Sequence, residues 1–457
     1  MTTSHRGDPA VSPLARFETL RAALPGTAVS WLRDLREQGR ERFATLGFPT
    51  IREEAWKYTS LRALDALTFV PAAAATTHAC FDVLPSIHSS AARGTAEHED
   101  TGRGPRLVFV DGRLRPELSS LGTLPAGVEL TSLAQAFAAD SDLVGDRLGR
   151  LAEDNALVAL NTAFLVDGPV LHIRAGVQVP GPVEIVFVSL GGGGDAATAF
   201  HPRSLVVAEA GSHITVVEHH VGFADGPVLA NHVGEVYVGE NASVRRCKVQ
   251  REALDTFHLS HVSARVAAGG RYDDFILTVG GRLARNEVRV ILDGEHASCH
   301  VNGAYMVRGT QHCDTTTFID HARPNGSSRE VYKGAIDGHG HGVFQGRIVV
   351  RPGAQKTDGH QLNRALLLSE TAAIDAKPEL EIYADDVKCS HGATAGELDD
   401  DAMFYLRARG IDRETARNLL IGAFLAEAIE EIPEEAVRTA FEDVVAGWLH
   451  AGGRGNA

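Results

Sequence analysis

The chain has 457 residues, 44% of them apolar, with 59 acidic against 44 basic side chains and a formal charge of -15. That is enough apolar material for a large core, and its charge has the wrong sign for phosphate backbones or anionic lipid, which argues against nucleic acid and membrane as direct partners. No stretch reaches the roughly 18 apolar residues of a membrane span. The opening "MTTSHRGDPAVSPLARFETL" lacks the basic start and apolar run of a secretory signal, so a cytoplasmic location is expected. Cys80, Cys247, Cys299, Cys313 and Cys389 are scattered without a CxxC pair, which predicts free thiols rather than disulfides or structural zinc.

Three regions follow in chain order. Residues 1–168 read as a helical or mixed region: "SPLARFETLRAAL" and "TAVSWLRDLREQGRERFATLGF" are amphipathic, and helical patterns return near "SLAQAFAAD" and "DRLGRLAEDNALVALNTAFL" after a short strand pair at "RLVFVDGRL". Between these parts, "TTHACFDVLPSIHSSAARGTAEHEDTGRG" has the small, polar composition of a surface linker. From about Pro169 the apolar period drops to two, and strand texture persists through residues 169–397. A loose phrase recurs within it, a glycine turn followed by an alternating strand, with Gly211, Gly239, Gly269, Gly294, Gly326 and Gly353 as markers. Their spacing suits the coils of a β-solenoid, and no helical crossovers are present to build a doubly wound sheet. The expected fold class is therefore mainly β, a parallel β-helix core with a sandwich as the alternative, flanked by helices. Residues 398–457 predict three closing helices, opening near Leu398, at Asp412 and at Pro433. The apolar stripe of Leu420, Ile421, Phe424, Leu425, Ala428 and Ile429, and a second one through Phe441, Val444, Val445 and Trp448, can pack on the solenoid or dock another protein.

Motifs for chemistry are sparse. A phosphate-binding loop needs a Gly-Lys step, and the chain has none. "GGGGDAA" at Gly191 is followed by Pro202 rather than a helix and reads as a loop. "DGHGHGVFQG" places His339 and His341 on one face if the segment is extended, the basis of an alternative reading as a metal-dependent enzyme, although no carboxylate follows nearby. "EHH" at Glu218, "HLSH" at His258 and "HASCH" at His296 read as exposed imidazoles on solenoid faces. The doublets Asp273–Asp274 and Asp385–Asp386 point to opposite faces of a strand, so neither is a catalytic carboxylate pair. In "LEIYADDVKCSHGATAG", an unbroken strand from Glu379 would align Glu379, Glu381, Tyr383, Asp385, Val387, Cys389 and His391 on one side. A thiolate and an imidazole suit iron or iron-sulfur species, but two donors fall short of the usual four.

These residues carry a resemblance. The block from "FIDHARPNGSSREVYKGAIDG" through "FQGRIVVRPGAQKTDGHQLNRALLLSETAAIDAKPELEIYADDVKCSHGATAGELDDDAMFYLRARGI", with "REEAWKYTSLRAL" near the start, resembles the SufB/SufD family of the Suf iron-sulfur cluster assembly system, and "KCSHGAT" looks like the SufD branch. The resemblance implies a right-handed parallel β-helix flanked by helices, serving as a non-enzymatic scaffold. It implies pairing with SufB through the solenoid end and with the ATPase SufC through the C-terminal helices, for which Phe404, Tyr405, Arg407, Leu420 and Phe424 are the candidate contacts. It also implies that His391, with Cys389 beside it, contributes to a transient iron-sulfur cluster shared with SufB. No cofactor is expected to be tightly bound by the lone chain, a flavin is possible in the assembled complex, and a homodimer through the same edge is possible when the chain is alone.

Overall fold

The computed structural model describes residues 13–72, 84–86, 104–151, 155–192 and 196–452. Most of the expected linker at residues 76–104 lies outside them, as does Cys80. From Arg203 to Gly396 successive strands alternate between two sheets and pair in parallel with the strand one coil away, giving a two-sheeted solenoid of about 7 turns. Val228 lies beside Thr256, Leu283 beside His312 and His341 beside Ala373 in one sheet; Ser243 beside Arg271 and Asp358 beside Lys388 register the other. The solenoid, not the sandwich, is the architecture.

The repeat is set at a corner. Gly211, Asn241, Gly269, His296, Asn325 and Lys356, one per coil, all have positive φ between 54° and 68°. Each of these residues donates its backbone N–H to a carbonyl of the next coil: Gly211 to Glu240, Asn241 to Ala268, Gly269 to Glu295, His296 to Pro324, Asn325 to Gln355 and Lys356 to Asp386. The glycine markers found the right corner, but only Gly211 and Gly269 occupy the left-handed position. Asparagine adopts that conformation at little cost, so the rule belongs to the backbone geometry rather than to glycine.

Both outer faces are covered. On one sheet, Leu229, Phe257, Leu259 and Leu283 pack with Phe17, Phe43, Trp56, Leu61 and Leu160 of the N-terminal region. The Arg285 guanidinium lies over the Trp56 ring at 4.1 Å, Thr59 bonds Asp314, and Gln345 Nε2 donates to the Ala55 carbonyl, which explains why "REEAWKYTSLRAL" is a distinctive segment. On the other sheet, Val217, Cys247, Val249, Phe275, Leu277, Ala304, Met306 and Ala335 are covered by Ile421, Leu425, Ala428, Ile429, Val437, Phe441 and Val445. These come from the helices Arg413–Ile429 and Glu435–Gly452, which follow a shorter helix Asp400–Arg407. Asp399 and Asp412 cap the first two, accepting from the N–H groups of Ala402 and Thr415 at 2.9 Å. The apolar stripes predicted for the tail thus face the solenoid.

The lumen holds charge. Strand side chains alternate, so Val217, Cys247 and Phe275 face the helices while Glu218, Arg246, Lys248 and Asp274 face inward. Arg246 bridges Glu218 at 2.7 Å and Asp274 at 2.9 Å, and both partners hold its guanidinium protonated despite burial. Lys248 bonds Asn286 at 2.8 Å, and burial pushes its pKa down to about 7. Sequence texture placed the histidines of "EHH" and "HLSH" on exposed faces; His219, His220, His258 and His261 are instead buried, at 5% exposure or less. The lumen seals one side of the strands and the covering segments seal the other, so parity no longer separates exposed from buried positions.

The last coil differs. Its strands Ala373–Ile382 and Lys388–Gly396 end the two sheets, with no further strand beyond them among the described residues. Ile382 and Tyr383 are exposed there, and the edge carries Lys377, Pro378, Glu379 and Glu381.

Candidate functional site

The strand Lys388–Gly396 opens with "KCSH", so Cys389 and His391 share a face by strand alternation. The longer alignment expected from Glu379 does not form. A turn between Ile382 and Lys388 transfers the chain from one sheet to the other, leaving Glu379 and Glu381 in the first sheet and Cys389 and His391 in the second.

Register fixes what lies behind each residue. Cys389 stands beside Gly359, which stands beside Ser328 and, one coil further, Cys299. A Cβ built on Gly359 would lie 3.7 Å from Cys389 Sγ, 3.3 Å from Ser328 Oγ and 3.6 Å from His321 Nε2, so the glycine leaves no side chain between the thiol and that buried pair. His321 and Ser328 bond each other at 2.9 Å. Cys389 is half-buried, and burial, with the nearby Asp358 carboxylate, raises its thiol pKa against the opposing hydrogen bond from the Gly359 backbone. The lone chain therefore holds a protonated thiol at neutral pH, a weak metal ligand until a positive centre arrives. His391 stands beside Gln361, whose amide donates to Glu330 at 2.9 Å. Its imidazole is exposed and makes no hydrogen bond or ion pair with any described residue. Ser390, on the opposite side, bonds His360 Nδ1 at 2.5 Å, and His360 Nε2 lies 2.8 Å from Asp358.

The other candidates are dispersed. His339 sits exposed in the turn before the strand His341–Val350, with Gly338 at φ 63°, so His339 and His341 do not share an extended segment. His341 finds a carboxylate from the next coil instead, Asp375 at 2.8 Å, and its ring meets His312 at 4.8 Å. Asp273 and Asp274 do point apart, to Arg271 and Arg246 respectively. Among the tail residues, Phe404 is 75% and Tyr405 57% exposed and Arg407 is exposed on the same short helix. Leu420 is half-buried, and Phe424 packs against the solenoid with Lys333 Nζ 4.5 Å from its ring centre. Leu419, 51% exposed, was missed by the stripe reading because it falls on the helix side away from Ile421 and Leu425.

Comparison with known proteins settles the family. The SufBD core domain of the SUF iron-sulfur cluster assembly system matches residues 190–424, and the SufBD N-terminal region matches residues 105–185. The chain belongs to the SufBD family. It is 32% identical to the iron-sulfur cluster assembly protein SufD of Escherichia coli, over 88% of this chain and 89% of that one. A Synechocystis SufBD family protein is 32% identical over 90% of each chain, and the Bacillus subtilis SufD is 31% identical over 70% of this chain and 73% of its own. The SufBD core match spans all the paired solenoid strands from Arg203, the first C-terminal helix and the second as far as Phe424, and so includes Cys389, His391, Phe404 and Tyr405. Its place is in iron-sulfur cluster assembly.

Proposed function

We propose that this chain is a non-catalytic scaffold subunit that completes a cluster-building site only when a SufB-type relative abuts its last coil. The observation that carries the reading is the pair Cys389 and His391 on the last strand of its sheet, paired on one side only among the described residues: one half-buried thiol and one exposed imidazole, forming no cluster of three metal-ligating groups there. Two ligands are too few for an iron-sulfur core, and a parallel edge strand is a ready surface for a second solenoid. The nascent cluster is cargo, assembled at the junction and passed on. A SufC-type ATPase docks on the outer tail surface, where Phe404, Tyr405, Arg407 and Leu419 stand clear of the solenoid while Phe424 and Ile421 hold the helix to it. Nucleotide-driven movement of that partner pulls on helices fastened directly to the sheet that ends in Cys389 and His391.

The test is co-expression with SufB and SufC partners, followed by anaerobic spectroscopy of the purified complex. His391→Ala is expected to leave the complex intact and lower cluster yield at least tenfold. Full yield from an intact His391→Ala complex would reject the role. Deleting the tail is a poor test of docking, because it would bare the eight apolar residues from Val217 to Ala335 that the helices cover.

A further inference from the structure

Near the other end of the lumen, remote in sequence from Cys389 and His391, three imidazoles and a carboxylate converge. His220, Glu252 and His258 each present a donor atom, all within 4.8 Å of one another, and all three residues are buried. His232 closes the group, its ring 4.5 Å from that of His220 and 5.7 Å from that of His258. The His220 Nδ1 and His232 Nε2 atoms are sealed from solvent with no hydrogen-bond partner among the described residues. An unsatisfied buried nitrogen is costly and calls for an explanation, and two in one cluster call for the same one.

The surroundings resemble the outer layer of a metal site. Glu218 lies 3.4 Å from His220 Nε2, which orients the ring and leaves Nδ1 directed elsewhere. Gln250 and Ser189 donate to the two oxygens of Glu252 at 3.0 and 3.1 Å, fixing the carboxylate. Lys248 engages His258 Nε2 at 2.7 Å, so that Nδ1 is the atom facing Glu252, also at 2.7 Å. Glu218 holds His220 as a ligating histidine is held, through the nitrogen that does not bind the metal. A cavity of about 20 Å³ lined by Glu218, His232 and Arg246 adjoins the group.

We propose that His220, His258 and Glu252, with His232 as a fourth donor, bind one divalent transition-metal ion inside the solenoid. Nitrogen and carboxylate donors in this number suit zinc or ferrous iron. The ion joins strands Val183–Ser189 and His213–Gly222 of one sheet to Val228–Val238 and Thr256–Val266 of the other, through the ligands and the residues that orient them. Its place is structural and interior, separate from the exposed pair on the last strand.

The full chain, produced alone in cells grown with zinc or with ferrous iron and purified anaerobically, is analysed for metal per chain by mass spectrometry. About one equivalent of one of the two ions is expected to survive gel filtration. Glu252→Gln and His220→Asn should each reduce it at least tenfold, and His339→Ala, which alters an exposed turn imidazole, should not. Absence of a retained ion from the wild-type chain would overturn the proposal, as would loss of the ion from His339→Ala or its retention by folded Glu252→Gln. Should the lumen variants fail to fold, X-ray absorption of the loaded wild-type chain decides: a shell containing at least two imidazoles supports the site, and a sulfur or all-oxygen shell refutes it.

Discussion

The strands Ser243–Arg251 and Lys388–Gly396 belong to the same sheet, with four strands between them, and they meet opposite environments. In the first, Arg246 is buried and paired on both sides by neighbouring coils, Lys248 is buried and bonded to Asn286 of the facing sheet, and Cys247 on the reverse face is sealed under the C-terminal helices. In the second, His391 faces solvent with no partner among the described residues, and Cys389 is covered only by the coil beneath. One backbone plan therefore yields a finished interior and an unfinished rim. A polar group in the interior is explained by what it touches; one at the rim is explained by what it lacks.

The comparison breaks most readily at Arg246. Replacing it with Ala leaves Glu218 and Asp274 as uncompensated buried charges, and a loss of about 3–5 kcal/mol is expected in denaturant melts. A change within about 0.5 kcal/mol, the ordinary figure for a surface site, would show that water reaches the lumen and that interior and rim are alike.

Glu330 sharpens the contrast with pH. Burial raises its pKa from 4.5 to about 7, outweighing the hydrogen bonds from Thr317 and Gln361. The folded chain therefore keeps its proton while the unfolded chain gives it up. The contribution of this group is fully present below about pH 4.5 and falls away as pH rises through 7, by about 3 kcal/mol at most. Glu330→Gln should remove that slope, and thermal melts at pH 5 and pH 8 measure it; an unchanged slope would place Glu330 in a wetter setting.

Smallest in stability is Phe404→Ala. With 75% of the residue exposed, a change within about 0.5 kcal/mol is expected, together with weakened capture of a SufC partner in pull-down. Undiminished capture by a Phe404→Ala, Tyr405→Ala double variant would move the docking surface elsewhere.

Much of this was legible in the residues. The strand period, the absence of crossover helices and the helix openings near Leu398, at Asp412 and at Pro433 led to the solenoid and its tail, and "KCSH" put a thiol and an imidazole on one face. The burial of His219 and His261 was not legible, because it depends on which strands the distant ends of the chain cover. A strand buried on both sides loses the alternation by which sequence separates inside from outside. The split between Glu381 and Cys389 was hidden for a different reason: "YADDV" contains no glycine or proline to announce that the chain changes sheets.

The terminal strand Ala373–Ile382 has a consequence for how the molecule stays discrete. A coil whose top matches its bottom could stack on copies of itself without limit, growing into a filament. Here Pro378 withholds one amide hydrogen, and Lys377, Glu379 and Glu381 scatter charge along the rail where a new strand would settle. A neighbour that sat there would have to tolerate the missing donor and answer those charges, so the edge resists indiscriminate stacking.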